Sequence, residues 1–425
     1  MRYDPFVFHS SRLVVAVTLL ASNSVALAQP DALTFDEALK LAAERSQQLI
    51  ADDAAAEAAR AMAVAAAQAP DPTLMVGVDN LPVTGPDKFS LTDDFMTMRS
   101  IGLARELTHG DKRDARAARF TREAEAAEAA RAVALADLQR GAAMTWLGRH
   151  YRERIRDVLV RQRDEAALQI EAADLAFRSG VGAQSDVFAA RSSVAQIEDK
   201  IAESESDIEV ATVKLARWIG DAATRPLADP PATDSVSLQA ADLEGELTHH
   251  PEIALMIKQE ELARADADLA QTGKRSNWSV AVKYSQRGPD FSNMVSVNFS
   301  KPLQWKERNS QDRELTAKLS LAAQARAERE EETRVHVADA RALLAAWRGN
   351  RQRLERYSST LLPLASERTR AAVTAYRAGT GTLSAVLDAR VGEIETVLNL
   401  LGLEMDTAAL WAEINFLIPA GTHHE

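Results

Sequence analysis

The 425-residue chain contains no cysteine. Disulfide bonds, thiolate metal sites, cysteine nucleophiles and a lipidated cysteine are therefore excluded, and stability must come from packing and assembly. After residue 30 the chain also lacks any run of about 18 apolar residues, the length that a membrane-spanning helix needs. Its net charge of −12 disfavours non-specific binding to the phosphate backbone of nucleic acids, so no nucleic-acid partner is expected.

The start of the chain has the pattern of a secretory signal peptide. Arg2 and Arg12 give a basic beginning, and residues 13–21 form a short apolar run. Residues 26–28 read Ala-Leu-Ala, the small-x-small pattern that precedes cleavage. We therefore expect residues 1–28 to be removed on export. A buried apolar strand at the N-terminus is the weaker alternative.

One sixteen-residue segment occurs twice, 199 positions apart. Residues 176–191 read AFRSGVGAQSDVFAAR and residues 375–390 read AYRAGTGTLSAVLDAR, with eight identical positions. Each copy lies between two long helix-forming stretches, so each is predicted to be the tight turn of a helical hairpin. A phosphate-binding loop is disfavoured, because neither copy has the following lysine or a preceding strand.

The duplication divides the chain into two similar halves. Each half has the order helix, strand, loop, strand, very long helix, glycine turn and returning helix. In the first half the helices and strands are predicted over residues 33–69, 73–79, 100–107, 110–178 and 184–219. In the second half they are predicted over residues 243–273, 278–285, 294–300, 306–377 and 383–417. The first repeat, linker, second repeat and tail then cover residues 29–219, 220–242, 243–418 and 419–425.

The predicted strands of the second half alternate with period two. Val280, Val282 and Tyr284 point to one side, and small or polar residues occupy the positions between them. An apolar face backed by a small polar face suits a wall between lipid and water. A hairpin packed on the core of a soluble protein has the same alternation, so the pattern leaves both readings open.

The long helices are rich in alanine, arginine, glutamate and leucine. Alanine allows neighbouring helices to approach closely, while the charged residues face water. This composition also fits a soluble periplasmic coiled-coil adaptor or scaffold without a pore. The strand hairpins disfavour that alternative, because a plain coiled coil has no use for them.

The chain that follows the predicted signal peptide resembles the TolC-like outer-membrane efflux proteins. Residues 33–41 (LTFDEALKL) resemble the usual opening of that family, and residues 361–365, 376–379 and 386–389 resemble its second hairpin. The resemblance implies a mainly α fold with a small β part. In it, three identical chains contribute four strands each to a 12-stranded outer-membrane β-barrel, and duplicated long helical hairpins form a periplasmic tunnel.

This resemblance also implies a function and partners. The expected protein is a gated conduit and not an enzyme, in the outer membrane of a Gram-negative bacterium, with no cofactor. Its expected partners are outer-membrane lipid, a periplasmic adaptor protein and an inner-membrane pump of the resistance-nodulation-division type. Together these components form a tripartite efflux system.

A narrower resemblance concerns the loop between the first two strands. Residues 79–82, 89–92 and 95–99 resemble the heavy-metal branch of the family, which exports copper and silver or cobalt, zinc and cadmium. The nearby methionines are Met75, Met96 and Met98. Thioether sulfur suits soft metal ions, although filling space at the rim explains these methionines more simply. Heavy-metal cations are therefore the expected substrate, with drugs or other small molecules as the alternative.

In the family, the two helical turns form the periplasmic tip of the tunnel. The resemblance assigns adaptor docking to both turns: Gly180, Val181, Gly182, Gly379, Thr380 and Gly381. It matches Asp388 to an acidic ring that narrows the tunnel. It matches Tyr376 and Asp186, with Ser185 beside them, to a hydrogen-bonded latch that keeps the tunnel closed. The simpler alternatives are a solvated helix aspartate at 388 and ordinary packing at 376.

Two residues depart from the family pattern. Gly381 stands where the family often has arginine, and Ala385 stands where it often has a second acidic residue. We therefore expect a closed state that is leakier or that is held by other residues.

No catalytic motif or metal site is predicted. The histidines form no H-E-x-x-H motif, and no serine lies in a G-x-S-x-G elbow. His423 and His424 lie in the last three residues, where a frayed tail is favoured over metal binding.

Overall fold

The structure is a computed structural model that describes residues 32–236 and 250–419. The predicted signal peptide lies outside the described residues, as do residues 237–249 at the junction of linker and second repeat, and residues 420–425 with their two histidines. Within the described residues, no helix combines the length and apolarity needed to cross a membrane.

The chain opens with two helices where the sequence predicts one. Helices α1 (Phe35–Arg45) and α2 (Gln47–Ala67) meet at Ser46, whose backbone is extended and whose side chain caps α2. Thr34 caps α1 by accepting a hydrogen bond from the Glu37 N–H (3.2 Å). The break at Ser46 therefore provides a second capped start instead of a continuous helix.

The first long hairpin has the predicted boundaries. Helix α3 (Gly110–Arg178) contains 69 residues, and helix α4 (Gln184–Ile219) returns from the turn. At 1.5 Å per residue, α3 is about 100 Å long. No globular core surrounds a helix of this length, so it must be stabilised by neighbouring helices along its sides.

The second repeat contains helices α5 (Pro251–Thr272), α6 (Gln311–Arg356), α7 (Leu362–Arg377) and α8 (Leu383–Asn415). A single helix over residues 306–377 is predicted, but the structure has a π turn at Tyr357–Leu361 between α6 and α7. Pro363 follows directly and has no N–H to donate to the preceding turn. The backbone widens there, and the Leu362 N–H bonds to the Tyr357 carbonyl instead.

The helices pack side by side around α3. Helix α3 contacts α2, α4, α5 and α8, while α6 contacts α5 and α8. The largest buried cluster joins α1, α3, α4 and α8, and at its centre Phe35 packs edge-on against the fully buried Trp146 (5.6 Å between ring centroids). The two repeats therefore share one packed body along α3.

Four strands form one antiparallel sheet in chain order: β1 (Thr73–Asp79), β2 (Met98–Leu107), β3 (Trp278–Gln286) and β4 (Met294–Ser300). The β2–β3 pairing joins the two repeats, with Leu103 opposite Val282. Strands β1 and β4 form the two edges of the sheet.

One face of this sheet is apolar and exposed. The register places Val76, Ile101, Tyr284 and Val295 in one row across all four strands. These four side chains are between 45% and 74% exposed. The neighbouring row consists of Leu74, Leu103, Val282 and Val297, which are all exposed as well.

The opposite face is small and polar. Ser100 and Ser285 face each other there and are buried. Lys283 donates to the Asp79 carboxylate at 2.9 Å, so these two charges on the face are paired. A sheet in a soluble protein packs its apolar face on the core and turns its polar face to water, whereas this sheet has the reverse arrangement.

Candidate functional site

The two hairpin turns have the same backbone geometry. Gly180 has φ of 75° and Gly379 has φ of 72°, a left-handed conformation that favours glycine. In each turn the next two backbone N–H groups donate to one carbonyl, that of Ala176 or Ala375, at 2.9–3.0 Å. The repeated sequence therefore encodes a repeated hydrogen-bonding pattern, which confirms the predicted turns.

The second glycine of each turn is required by close approach. A Cβ atom on Gly182 would lie 2.9 Å from the Cβ of Ala176. A Cβ atom on Gly381 would lie 3.0 Å from the Cβ of Ala375 and 3.0 Å from the Tyr376 nitrogen. Larger residues at either position would therefore push the returning helix away from the first one.

The side chains at the two tips differ. Val181 at the first tip is 87% exposed, and the polar residue Thr380 takes its place at the second. Phe188 is 58% exposed, whereas the equivalent Leu387 is buried at 8%. The first tip therefore presents an apolar surface that the second tip lacks.

The two tips lie against each other. Their shared cluster contains the buried residues Ala173, Val187, Ala190, Leu383, Val386 and Leu387. The ring of Tyr376 packs against this cluster and is partly buried. The structure thus brings Tyr376 into the contact between the hairpins, where the sequence predicts either packing or a latch.

The other predicted latch residues lie at the start of α4. One carboxylate oxygen of Asp186 accepts a hydrogen bond from the Ala183 N–H (3.3 Å), and Ser185 is exposed. Within this single chain, no hydrogen bond joins Asp186 to Tyr376 among the residues described. The Tyr376–Asp186 latch therefore stays a prediction.

Each returning helix, α4 and α8, has one acidic residue in its first two turns, but at different positions. Asp388 is exposed on α8 and has no ion-pair partner among the described residues. With the repeat offset of 199, Asp388 corresponds to Ala189, and Asp186 corresponds to Ala385. The acidic residue of the second hairpin therefore lies about one helical turn further from the tip. Its role as a constriction stays a prediction.

A third group of residues was not predicted from the sequence. His250, Glu252 and His336 have ligand-type atoms that all lie within 4.8 Å of one another. Burial lowers the pKa of His250 to about 4, and the nearby His336 and Arg140 add to this effect. The two histidines are 86 positions apart in the chain, so no spacing motif could have revealed the group.

Several solved structures superpose on almost the whole of this chain. The outer-membrane channel OprN superposes with a TM-score of 0.74 at 17% identity, covering 91% of this chain and 90% of that chain. The Campylobacter jejuni CmeC outer membrane channel gives 0.75 at 12%, with 92% and 87% covered. CusC, whose crystal structures concern folding and transmembrane channel formation, gives 0.73 at 14%, with 91% and 92% covered.

No protein-family model matches the sequence, and no curated protein is similar enough in sequence to serve as a relative. The structural likeness is nevertheless nearly full length in both directions. It shows that this chain has the fold of these channels, with a long helical body and a small sheet. The chain has this TolC-like fold, as its sequence predicts.

Proposed function

We propose that this protein is the outer-membrane channel of a tripartite efflux system, a passive conduit and not an enzyme. The observation that carries the proposal is the exposed apolar face of the sheet. Two rows of aliphatic and aromatic side chains cross all four strands on that face, while the opposite face is small and polar. This is the arrangement expected of a wall with lipid outside and water inside.

The open edges of the sheet support assembly. Strands β1 and β4 each present a row of unpaired backbone groups, and such groups are costly in lipid unless they pair. Pairing β4 of one chain with β1 of the next satisfies both edges at once. Three copies then give the 12-stranded barrel of the homotrimer that the resemblance implies.

The helical body supports a periplasmic extension. Helix α3 extends about 100 Å from the strands to the tip. We propose that the tip meets a periplasmic adaptor and an inner-membrane pump. The exposed apolar side chains of Val181 and Phe188 provide the docking surface on the first hairpin. The predicted signal peptide is consistent with export to the outer membrane.

The gate is proposed to act at the same tip. Three exposed copies of Asp388 around the channel axis would attract cations and repel one another, so closure needs other bonds. Asp186 uses one carboxylate oxygen to accept from Ala183, which leaves the other oxygen for the Tyr376 hydroxyl. Adaptor binding would open the tip by favouring the open state of these contacts.

Heavy-metal cations are the proposed cargo. The proposal is supported by the resemblance of residues 79–99 to the heavy-metal branch and by the exposed acidic side chain of Asp388. In a conduit of this kind, the partner pump selects the cargo. A strain that lacks the protein is therefore expected to become sensitive to metal salts, whereas sensitivity to drugs alone would reassign the cargo.

The channel proposal is tested by placing a charge on each face of β4. Val297→Lys puts the charge among the exposed apolar side chains, and Ser296→Lys puts it on the polar face next to Lys283. A lysine in the middle of a lipid face costs about 2–4 kcal/mol, whereas a lumen position tolerates it. We expect Val297→Lys to abolish trimers in the outer-membrane fraction and Ser296→Lys to preserve them with altered conductance in planar bilayers.

The alternative hypothesis, a soluble periplasmic adaptor or scaffold, predicts that the protein is not found in the outer-membrane fraction. Recovery of the unaltered protein only from the soluble periplasmic fraction would overturn the channel proposal. Equal tolerance of lysine at positions 296 and 297 would remove its main support, because it would show that neither face contacts lipid.

A further inference from the structure

Two histidines and a carboxylate meet between α5 and α6, in the body of the helical part and not at its tips. His250 directly precedes α5, Glu252 lies in the first turn of α5, and His336 lies within α6. The two imidazole rings are 4.8 Å apart between centroids. The His336 Nε2 atom lies 2.6 Å from a Glu252 carboxylate oxygen.

The His250 side chain is buried and has no polar partner. The residue is only 4% exposed, and neither ring nitrogen has a hydrogen-bond partner among the described residues. Burying a polar group without such a partner costs free energy, so native structures rarely keep one without a reason. An ion bound between the rings and the carboxylate would supply the missing interaction.

We infer that His250, Glu252 and His336 form a binding site for one divalent transition-metal ion such as Zn²⁺. Two imidazoles and one carboxylate are a ligand set that zinc accepts, with a fourth position left for water. Imidazole also suits copper(II) and nickel(II). Tetrahedral ligands at zinc distances lie about 3.4 Å apart. Metal binding would therefore bring the more distant ligand atoms of the group closer together, and it would separate the His336 Nε2 atom from the Glu252 oxygen, which are 2.6 Å apart.

Charged groups from every neighbouring helix face the site. Arg140 on α3 is close enough to lower the pKa of His250 and opposes a cation. Its effect is offset by Asp137, with which it pairs, and by Glu332, whose carboxylate is 3.7 Å from the His336 Nε2 atom. The two carboxylates nearest the rings, Glu252 and Glu332, leave a negative balance at the ligand atoms.

A bound ion would connect the start of α5 to α6. The folded chain binds the ion and the unfolded chain does not, so binding stabilises the helical body. This role is independent of transport, since the ligands lie away from both hairpin tips and from the sheet. The inference therefore stands or falls separately from the proposed channel function.

The test uses the full chain in detergent after removal of metal by a chelator. We expect isothermal titration with Zn²⁺ to give one equivalent per chain and a higher melting temperature, and Co²⁺ to give visible absorption bands of a nitrogen-ligated ion. Loss of groups that only orient metal ligands weakens binding about 10–100-fold. Loss of a ligand in His250→Ala, His336→Ala or Glu252→Gln should therefore weaken it at least that much.

Two controls keep the inference falsifiable. His150→Ala removes another partly buried histidine, which stacks on Trp146 and has no place in the group. The double variant His423→Ala and His424→Ala removes the histidines of the tail. Both should retain the site, with circular dichroism showing that every variant folds. Unchanged Zn²⁺ affinity in His336→Ala, or loss of binding only in the tail variant, would overturn the inference.

Discussion

At the first hairpin tip, Val181 is exposed and Asp186 reaches back to the Ala183 N–H. At the second tip, Thr380 replaces Val181, and the Thr382 hydroxyl accepts from the Ala385 N–H at 3.2 Å. The backbones of the two turns are nevertheless the same. The reversal of the chain requires glycine at the same positions of both turns, whereas it places no requirement on the side chains that point outward. The two tips therefore share one backbone geometry but present different side chains.

The largest loss of local stability should come from replacing the positive-φ glycine that both turns have. Gly180→Val and Gly379→Val each place a β-branched residue at positive φ, which costs about 1–3 kcal/mol. The two losses should be equal, because the two φ values agree within a few degrees. Hydrogen exchange of the amides around each turn measures this local free energy.

Gly349→Ala is the matched control for these substitutions. Gly349 lies in α6 with open space around its Cβ position, so alanine should stabilise that helix by about 1 kcal/mol. Unequal losses at positions 180 and 379 would show that the two turns are not equivalent.

A smaller change in local stability should distinguish the N-terminal caps of α4 and α8. Thr382→Ala removes the hydroxyl that caps α8 and should lower local stability by about 1 kcal/mol. Ala183→Thr adds a hydroxyl at the equivalent position of α4, where the Asp186 N–H already donates to the Ala183 carbonyl (3.1 Å). Its gain should therefore be smaller than the loss at 382. Hydrogen exchange at the first turns of α4 and α8 compares the two, and equal and opposite changes would show that the two caps are equivalent.

The smallest expected effect is on ion selectivity, and it concerns the acidic residues that occupy different positions in the two returning helices. Asp388→Ala should lower the cation-over-anion permeability ratio in planar bilayers by about threefold, because it removes three charges from the proposed constriction. Asp174→Asn is the control, since it removes a charge near the first turn that is already paired with Arg178. It should leave selectivity nearly unchanged. A permeability ratio unaffected by Asp388→Ala would reject the acidic ring.

The bounds of most long helices and strands could be predicted, because the residues that end each of them lie next to that end in the sequence. Helices α3 and α4 begin and end at the predicted residues, since the glycine turn between them carries its own backbone requirement. Strand alternation likewise predicted which residues share a face, because the side-chain period is fixed at two.

Other features depend on contacts that the sequence does not display. Ser46 lies in a run with no helix breaker, yet its backbone is extended and its side chain caps α2. The exposure of Phe188 and the burial of Leu387 differ although both occupy the same repeat position. His250 and His336 meet only because α5 packs on α6. Separation along the chain hides such pairs from any local pattern.

The π turn at Tyr357–Leu361 has a mechanical consequence. Helix α3 is continuous, so the first hairpin has no such widened turn along its long helix. The second long helix already has a widened turn, and helices bend most readily at such places. Helix α7 has 16 residues, which puts this point about 24 Å from the second turn. The second hairpin therefore has one point of easier bending on its α6–α7 side, whereas its returning helix α8 is continuous.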